Sequence, residues 1–200
     1  MKYIFIAGAP GSKWSSVARN IYYSPSIDRS DSSDQRQYEQ TGHCGAYWDP
    51  GMEFDVPSNL NDLSHDHAES IWNAPFSGLG RRIIKSHVFC YRQNIDYLRK
   101  NWPSSPIVLV HRSDDSCLGW WVRSGGFSIT YPDYVPYYVD LATMASRITE
   151  QNKGLLSAWH DYDGQQPETN RQLAELLGLE PPPLIYAQNY AVNDIQVKVI

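Results

Sequence analysis

The sequence predicts an α/β fold, a central and mainly parallel sheet flanked by helices, on three observations. Short apolar runs of strand character stand at residues 3–9, 82–86 and 106–111, and each leads towards a segment whose apolar residues recur at helical spacing. Strands alternating with helices build mainly parallel sheets covered on both faces. The chain has 200 residues, 42% hydrophobic and 20% charged, which is enough for one well-buried core, so a single domain over residues 1–200 is expected.

Each element has its own signal. Residues 3–9 are short, apolar, β-branched and aromatic, and Pro10-Gly11 stops them. From Trp14 the period changes: Trp14, Val17, Ala18, Ile21 and Tyr22 mark a helix, with Ser12, Ser15 and Ser16 near its start. Residues 24–64 are rich in Ser, Asp, Gly and Pro, show no periodicity, and read as a long irregular insertion. A short helix is expected at 65–73, a strand at 82–86, and a helix at 93–102 that Pro103 ends. Ile107, Val108, Leu109 and Val110 are four consecutive aliphatics and make 106–111 the clearest strand, buried on both faces. A helix at 113–122 and a loop to Pro136 follow. A long helix then starts near Tyr137, with Leu141, Met144, Ala145 and Ile148 as its stripe. Pro167-Glu168-Thr169 open a last helix that carries Leu173, Ala174, Leu176 and Leu177 and ends at Gly178; residues 195–200 are expected as a terminal strand.

Composition narrows the partners. The net charge of −5 gives no general attraction to nucleic acid or anionic membrane, so neither is expected. An anionic ligand would need locally placed cations and backbone N–H groups. The apolar run at the N-terminus is too short for a secretory signal and no 18-residue apolar stretch exists, which points to a cytoplasmic protein without membrane insertion. Cys44, Cys90 and Cys117 are odd in number and lack C-x-x-C spacing, so free thiols are expected. His65, Asp66 and His67, with His43 and Cys44, match no zinc spacing, and His-x-His on a helix sends its rings to different faces; no metal is expected. The 14 Tyr and 7 Trp suggest pockets or interfaces as well as core. Of Trp120-Trp121, on a helix, one is expected in the core.

Three segments carry chemistry. Gly8-Ala9-Pro10-Gly11-Ser12-Lys13-Trp14-Ser15-Ser16 follows a strand and opens a helix, an order that offers free N–H groups and the positive end of the helix dipole to a phosphate-like group. Lys13 adds a mobile charge. The pattern Gly, four residues, Gly-Lys-Ser/Thr is not met, because Ser12 precedes Lys13 and Trp14 follows it. The second segment, Arg81 to His87, ends a strand with Lys85, Ser86 and His87 together, at the edge where open α/β sheets bind ligands. A His there can take a proton near neutral pH, and a Lys can neutralise a leaving phosphate. The third, His111-Arg112-Ser113-Asp114-Asp115-Ser116, ends the strongest strand with an arginine suited to fork onto a phosphate or to pair with Asp114 or Asp115.

Taken in order, these segments resemble the sulfotransferases that use 3′-phosphoadenosine-5′-phosphosulfate (PAPS). Pro10-Gly11-Ser12 resembles their Pro-x-Ser turn. Arg82-Ile83-Ile84-Lys85-Ser86-His87-Val88 resembles the Lys-Thr-His segment of the cytosolic branch, and Ile107 to Arg112 resembles the strand that carries the arginine of the 3′-phosphate. Asp161-Tyr162, Pro167 and Leu173-Ala174-Glu175-Leu176-Leu177-Gly178-Leu179 echo a fourth segment. The resemblance implies a P-loop-type three-layer fold. It implies a transfer of a sulfuryl group from PAPS to a hydroxyl or amine of an unidentified small-molecule, glycan or peptide acceptor, leaving 3′,5′-adenosine bisphosphate. By position, Pro10, Gly11, Ser12, Lys13, Trp14, Ser15 and Ser16 would hold the 5′-phosphosulfate, Lys85 would assist at the sulfuryl group, His87 would be the general base and Arg112 would hold the 3′-phosphate.

The chain departs from the family at several places. Gly11 stands where the family has Lys or Arg, Lys13-Trp14-Ser15 where it has Gly-Thr-Thr, and Trp120 where it has a phosphate-binding serine, a role for which Ser116 and Ser124 are the candidates. A Gly-rich cofactor segment near the C-terminus is missing. The acceptor pocket is expected from residues 24–64 and the aromatic loop 131–138. Two rival readings are a nucleotide or small-molecule kinase with a degenerate P-loop, using Mg²⁺ and Asp114 or Asp115, and a non-catalytic nucleotide-binding relative.

Overall fold

A computed structural model describes residues 2–31, 45–50, 54–123, 140–182 and 189–200. Four strands, β1 (Tyr3–Gly8), β2 (Arg82–Ser86), β3 (Ile107–His111) and β4 (Gln196–Val199), form one open sheet in the order β2-β1-β3-β4. The first three are parallel and β4 runs antiparallel to β3. Among the described residues there are six α-helices: α1 (Trp14–Tyr22), α2 (His65–Asn73), α3 (Arg92–Asn101), α4 (Asp114–Arg123), α5 (Leu141–Asp161) and α6 (Asn170–Leu176). The fold class is therefore α/β with a mostly parallel sheet, as the strand and helix periods predict. None of the described helices is long and apolar enough to cross a membrane.

Strand alternation divides the core in two. Ile4, Ile6, Val108, Val110 and Val197 turn to one face and pack on Val17, Ala18 and Ile21 of α1 and Leu173 and Ala174 of α6. Tyr3, Phe5, Ala7, Ile107 and Leu109 turn to the other and meet Trp72 of α2, Ile95 and Leu98 of α3, and Leu155 and Ala158 of α5. Among the described residues, most of the buried aromatics fill this second face: Tyr3, Phe5, Trp72, Phe89 and Trp102 meet edge to face or tilted at centroid distances of 4.7–6.3 Å. Among the described residues, the aromatic richness that suggests pockets is in large part core.

Tyr137, near which the long helix is expected to start, lies outside the described residues; the described helix begins at Leu141, where Asp140 caps it: the carboxylate accepts from the Thr143 N–H at 2.9 Å. Leu141 is consequently exposed and the buried stripe runs through Met144, Ile148, Gln151, Asn152 and Leu155. Thr169 caps α6 in the same way, and its end closes as the Gly178 turn predicted: the Gly178 and Leu179 N–H groups donate to the Glu175 and Ala174 carbonyls, both at 2.9 Å. At the end of α5, Lys198 Nζ donates to the Trp159 and Tyr162 carbonyls, both at 2.6 Å, which ties β4 to the negative end of that helix. Gly154 lets α5 lie against the chain that leaves β2, since a Cβ there would stand 2.5 Å from the Cys90 carbonyl oxygen.

Candidate functional site

The sheet register decides which side chains can meet. Ala7 pairs with Ser86 and Gly8 with Val110, so the residues that follow β1, β2 and β3 emerge along one edge, with β1 in the middle. The loop of residues 9–13 therefore stands between His87 on one side and Arg112 on the other: Gly8 and Trp14, which flank it, meet His87, and Gly11 meets Arg112.

The loop is tight and pressed inward. The Ser12 N–H donates to the Ala9 carbonyl at 3.0 Å. Gly11 has φ +80°, and a Cβ there would lie 2.0 Å from the Cys117 carbonyl oxygen, so the backbone rests directly on α4 and no side chain fits. Lys13 is the N-cap of α1 in the left-handed region, φ 62°, with no side-chain cap of the helix. Pro10 and Ser12 are buried, and Ser15 and Ser16 are half-buried. The Ser12 hydroxyl is enclosed and has no hydrogen-bond partner among the described residues. An unpaired buried hydroxyl costs about 1–3 kcal/mol, so such a group is worth explaining by what it could receive.

Arg112 is 7% exposed and holds the loop in place. Its Nη1 donates to the Gly11 carbonyl at 3.0 Å and the Ser116 carbonyl at 3.2 Å, and its Nε donates to the Asp194 carbonyl at 3.3 Å. It does not take Asp114, whose carboxylate accepts from Thr149 Oγ1 at 2.6 Å and Asn152 Nδ2 at 2.7 Å. The Ser116 hydroxyl donates to Asp194 Oδ2 at 2.5 Å. Lys13 Nζ donates to Asn193 Oδ1 at 3.0 Å and lies 4.4 Å from the centre of the Trp120 ring. Partial burial, then the charges of Arg112 and Arg123, push the Lys13 ammonium below its ordinary pKa. Cations crowd this corner.

The corner at the end of β2 is closed by a carboxylate. Asp49, fully buried, accepts at Oδ1 from Ser86 Oγ at 2.6 Å, the His87 N–H at 3.0 Å and the Val88 N–H at 3.3 Å, and at Oδ2 from the Tyr47 hydroxyl. It is brought there by residues 45–50, which run beside β2: the Trp48 N–H donates to the Lys85 carbonyl at 3.1 Å. His87 is 4% exposed and its Nδ1 lies 2.5 Å from the Gly8 carbonyl oxygen. A carbonyl only accepts, so Nδ1 carries the proton and Nε2 holds the lone pair of the neutral ring. Burial pushes the imidazole pKa below 6.5, opposed by the Asp49 charge and the Gly8 carbonyl and reinforced by Arg147 and Lys85. The Trp14 ring centre is 4.5 Å and the Tyr47 ring centre 5.5 Å from that of His87.

The structure thus brings Pro10 to Ser16, Lys85, His87, Arg112 and Ser116 to one edge of the sheet, but with different exposure. Lys85 is fully buried within β2, and the Trp14 indole is core between α1, Tyr47 and His87. Trp120 is exposed while Trp121 packs with Cys117, Met144 and Ile148, so the pair divides as the helical spacing predicts. Cys90 and Cys117 are buried free thiols. His65 stacks on Trp102 at 4.7 Å, and among the described residues no three His, Cys, Asp or Glu side chains gather into a metal-binding group. Ser124, the loop 131–138, His43, Cys44 and part of the 24–64 insertion lie outside the described residues. Sequence reasoning missed Asp49, Asn193 and Asp194. Asp49 stands in an aperiodic stretch with no motif around it, and its only clue is its company, Tyr47-Trp48, apolar enough to be buried.

No protein-family model, no curated protein and no solved structure matches the chain.

Proposed function

We propose that this chain is a sulfotransferase-like protein with a P-loop-type arrangement, which binds PAPS and transfers its sulfuryl group to a hydroxyl or amine of a small-molecule, glycan or peptide acceptor. The observation that carries the reading is the loop of residues 9–13. It holds a buried Ser12 hydroxyl, without a partner among the described residues, at the mouth of α1, with Lys13 and Arg112 close by and His87 hydrogen-bonded to Gly8, which precedes it. An enclosed donor beside crowded cations fits an anion, which would satisfy the hydroxyl and offset the burial, and after it the repulsion from Arg112 and Arg123, that depress Lys13. The order of these residues, which resembles that of the PAPS-dependent enzymes, makes the anion a phosphosulfate.

When bound, PAPS supplies the sulfuryl group, whose sulfur forms a bond to the acceptor oxygen or nitrogen as its bond to the 5′-phosphate oxygen breaks. The chain's own part is positioning and charge. The α1 N–H groups and Ser12 would hold the 5′-phosphosulfate, with Lys13 or Lys85 countering the negative charge left on the departing phosphate. Neutral His87, with its Nδ1 proton held by Gly8, would receive the acceptor's proton at Nε2. Its low pKa keeps it neutral and able to act as a base at pH 7.

The burial of His87 and Lys85 favours a second reading, a relative that binds the nucleotide without turnover. Calorimetry with 3′,5′-adenosine bisphosphate in the absence of metal is the test, with ATP and Mg²⁺ as the control for a kinase. The bisphosphate is expected to bind and ATP with Mg²⁺ to bind more weakly; the reverse order would end the proposal. His87→Ala should then abolish transfer while leaving bisphosphate affinity within about threefold, an effect of under ~1 kcal/mol. Binding by wild type without any transfer would favour the non-catalytic relative.

A further inference from the structure

Three of the groups that the proposed reading turns towards the nucleotide are already engaged by one short segment of the chain. Asn193 Oδ1 accepts from Lys13 Nζ at 3.0 Å, the Asp194 carbonyl accepts from Arg112 Nε at 3.3 Å, and Asp194 Oδ2 accepts from Ser116 Oγ at 2.5 Å. Asn193 ends a 3-10 turn, Ala191–Asn193, and Asp194 leads into β4. Asp194 has φ 56° and ψ 37°, a left-handed conformation that costs a residue with a Cβ about 1 kcal/mol or more. It is exposed, as is Val192 at 84%. A carboxylate that nothing buries, on a strained backbone position, lies against a hydroxyl beside a guanidinium. That hydroxyl and guanidinium are the pair a phosphate would use.

We infer that Asp194 is an internal stand-in for the ligand's 3′-phosphate, and that a nucleotide carrying this phosphate binds by displacing the Asp194 carboxylate from Ser116. The inference rests on the nucleotide reading above and adds to it a built-in competitor that sets the affinity. A phosphate bears about −1.5 to −2 charges against one on the carboxylate, so it wins the site once present, at an affinity reduced by the fraction of time Asp194 occupies it. A nucleotide without a 3′-phosphate has no reason to displace the Asp194 carboxylate and is insensitive to it. The site therefore discriminates at the 3′ position through its own acid as well as through Arg112.

Two variants separate the charge from the fold. Asp194→Gly removes the carboxylate and suits the left-handed backbone; Asp194→Asn keeps a side chain tolerated there and removes only the charge. Calorimetric titration of wild type and both variants would use 3′,5′-adenosine bisphosphate and adenosine 5′-phosphate, with thermal unfolding as the check on folding. The expected result is a gain of about tenfold in bisphosphate affinity for Asp194→Gly, a smaller gain for Asp194→Asn, and adenosine 5′-phosphate affinity within about twofold throughout. Wild-type binding of the bisphosphate with no gain in either variant overturns the inference and leaves the nucleotide reading standing. An equal gain for both nucleotides overturns it too, since it would mark a general charge effect. No binding of either nucleotide by any of the three proteins removes the nucleotide reading, and this inference with it.

Discussion

Two aspartates border the loop between β1 and α1, and they do opposite work. Asp49 is fully buried, accepts four hydrogen bonds and holds the backbone on which His87 stands. Asp194 is exposed, accepts from one hydroxyl, and sits on a strained backbone position. Both come from outside the βα units that carry the motifs. The difference between them is solvent. A buried carboxylate is kept only when its lone pairs are filled, and it then fixes whatever fills them. An exposed carboxylate can leave, because water replaces its partners at little cost. The His87 corner is accordingly a fixed part, and the Arg112 corner has a piece that can be exchanged.

The largest effect expected from this contrast is at Asp49. Asp49→Ala would strip partners from the Ser86 hydroxyl and the His87 and Val88 N–H groups together, at a cost of about 3–5 kcal/mol in urea unfolding. Asp49→Asn keeps an oxygen in place of Oδ1 and should cost less than half of that. A loss below ~1 kcal/mol for the alanine variant would show that this turn is held by something else, and the contrast with Asp194 would fail.

Next comes Gly11, which joins the exchangeable corner to the core. Gly11→Ala must place a Cβ against the Cys117 carbonyl at φ +80°, so it should destabilise by about 2–4 kcal/mol from strain and overpacking combined. It should also free the Gly11 carbonyl from Arg112. Stability within ~0.5 kcal/mol of wild type would mean that the loop can lift off α4 without loss.

The smallest effect is a pH dependence, and it sharpens the fixed corner. The folded His87 pKa lies below its ordinary 6.5 because the ring is buried. Above that value both folded and unfolded chains carry a neutral ring and His87 contributes nothing to the dependence. As pH falls below about 6.5 the unfolded chain takes up a proton that the folded chain resists, so stability falls, by at most ~1.4 kcal/mol per pH unit for one proton. His87→Gln should flatten this part of the stability profile below about pH 6.5. An unchanged slope in the variant would place the titration elsewhere.

Much of the scaffold was legible because it depends on local pattern. Four aliphatics in a row at Ile107 to Val110, too short a run for a helix, mark a strand buried on both faces, and Thr169 with Gly178 brackets α6 by capping chemistry alone. The start of α5 is set by the Asp140 cap, four residues before the first of its buried stripe, Met144, and the apolar spacing alone does not mark that cap. At the site, Ser12, Lys13, Lys85, His87 and Arg112 were legible as strand-end residues, since a parallel sheet must carry such residues to one edge.

What the sequence by itself determined is the α/β class, the order of its elements and the edge to which the polar strand ends are delivered, because period, caps and turn residues act over a few neighbours. The tertiary structure alone decided how those groups are used. It buried Lys85 and the Trp14 indole, turned Arg112 onto three carbonyls, set Asp49 beneath His87 and laid Asp194 on Ser116. These pairings join residues up to 101 positions apart in the chain, as Arg112 is from Gly11. Burial and hydrogen-bond satisfaction at such separations depend on how the whole sheet closes, which no local pattern encodes.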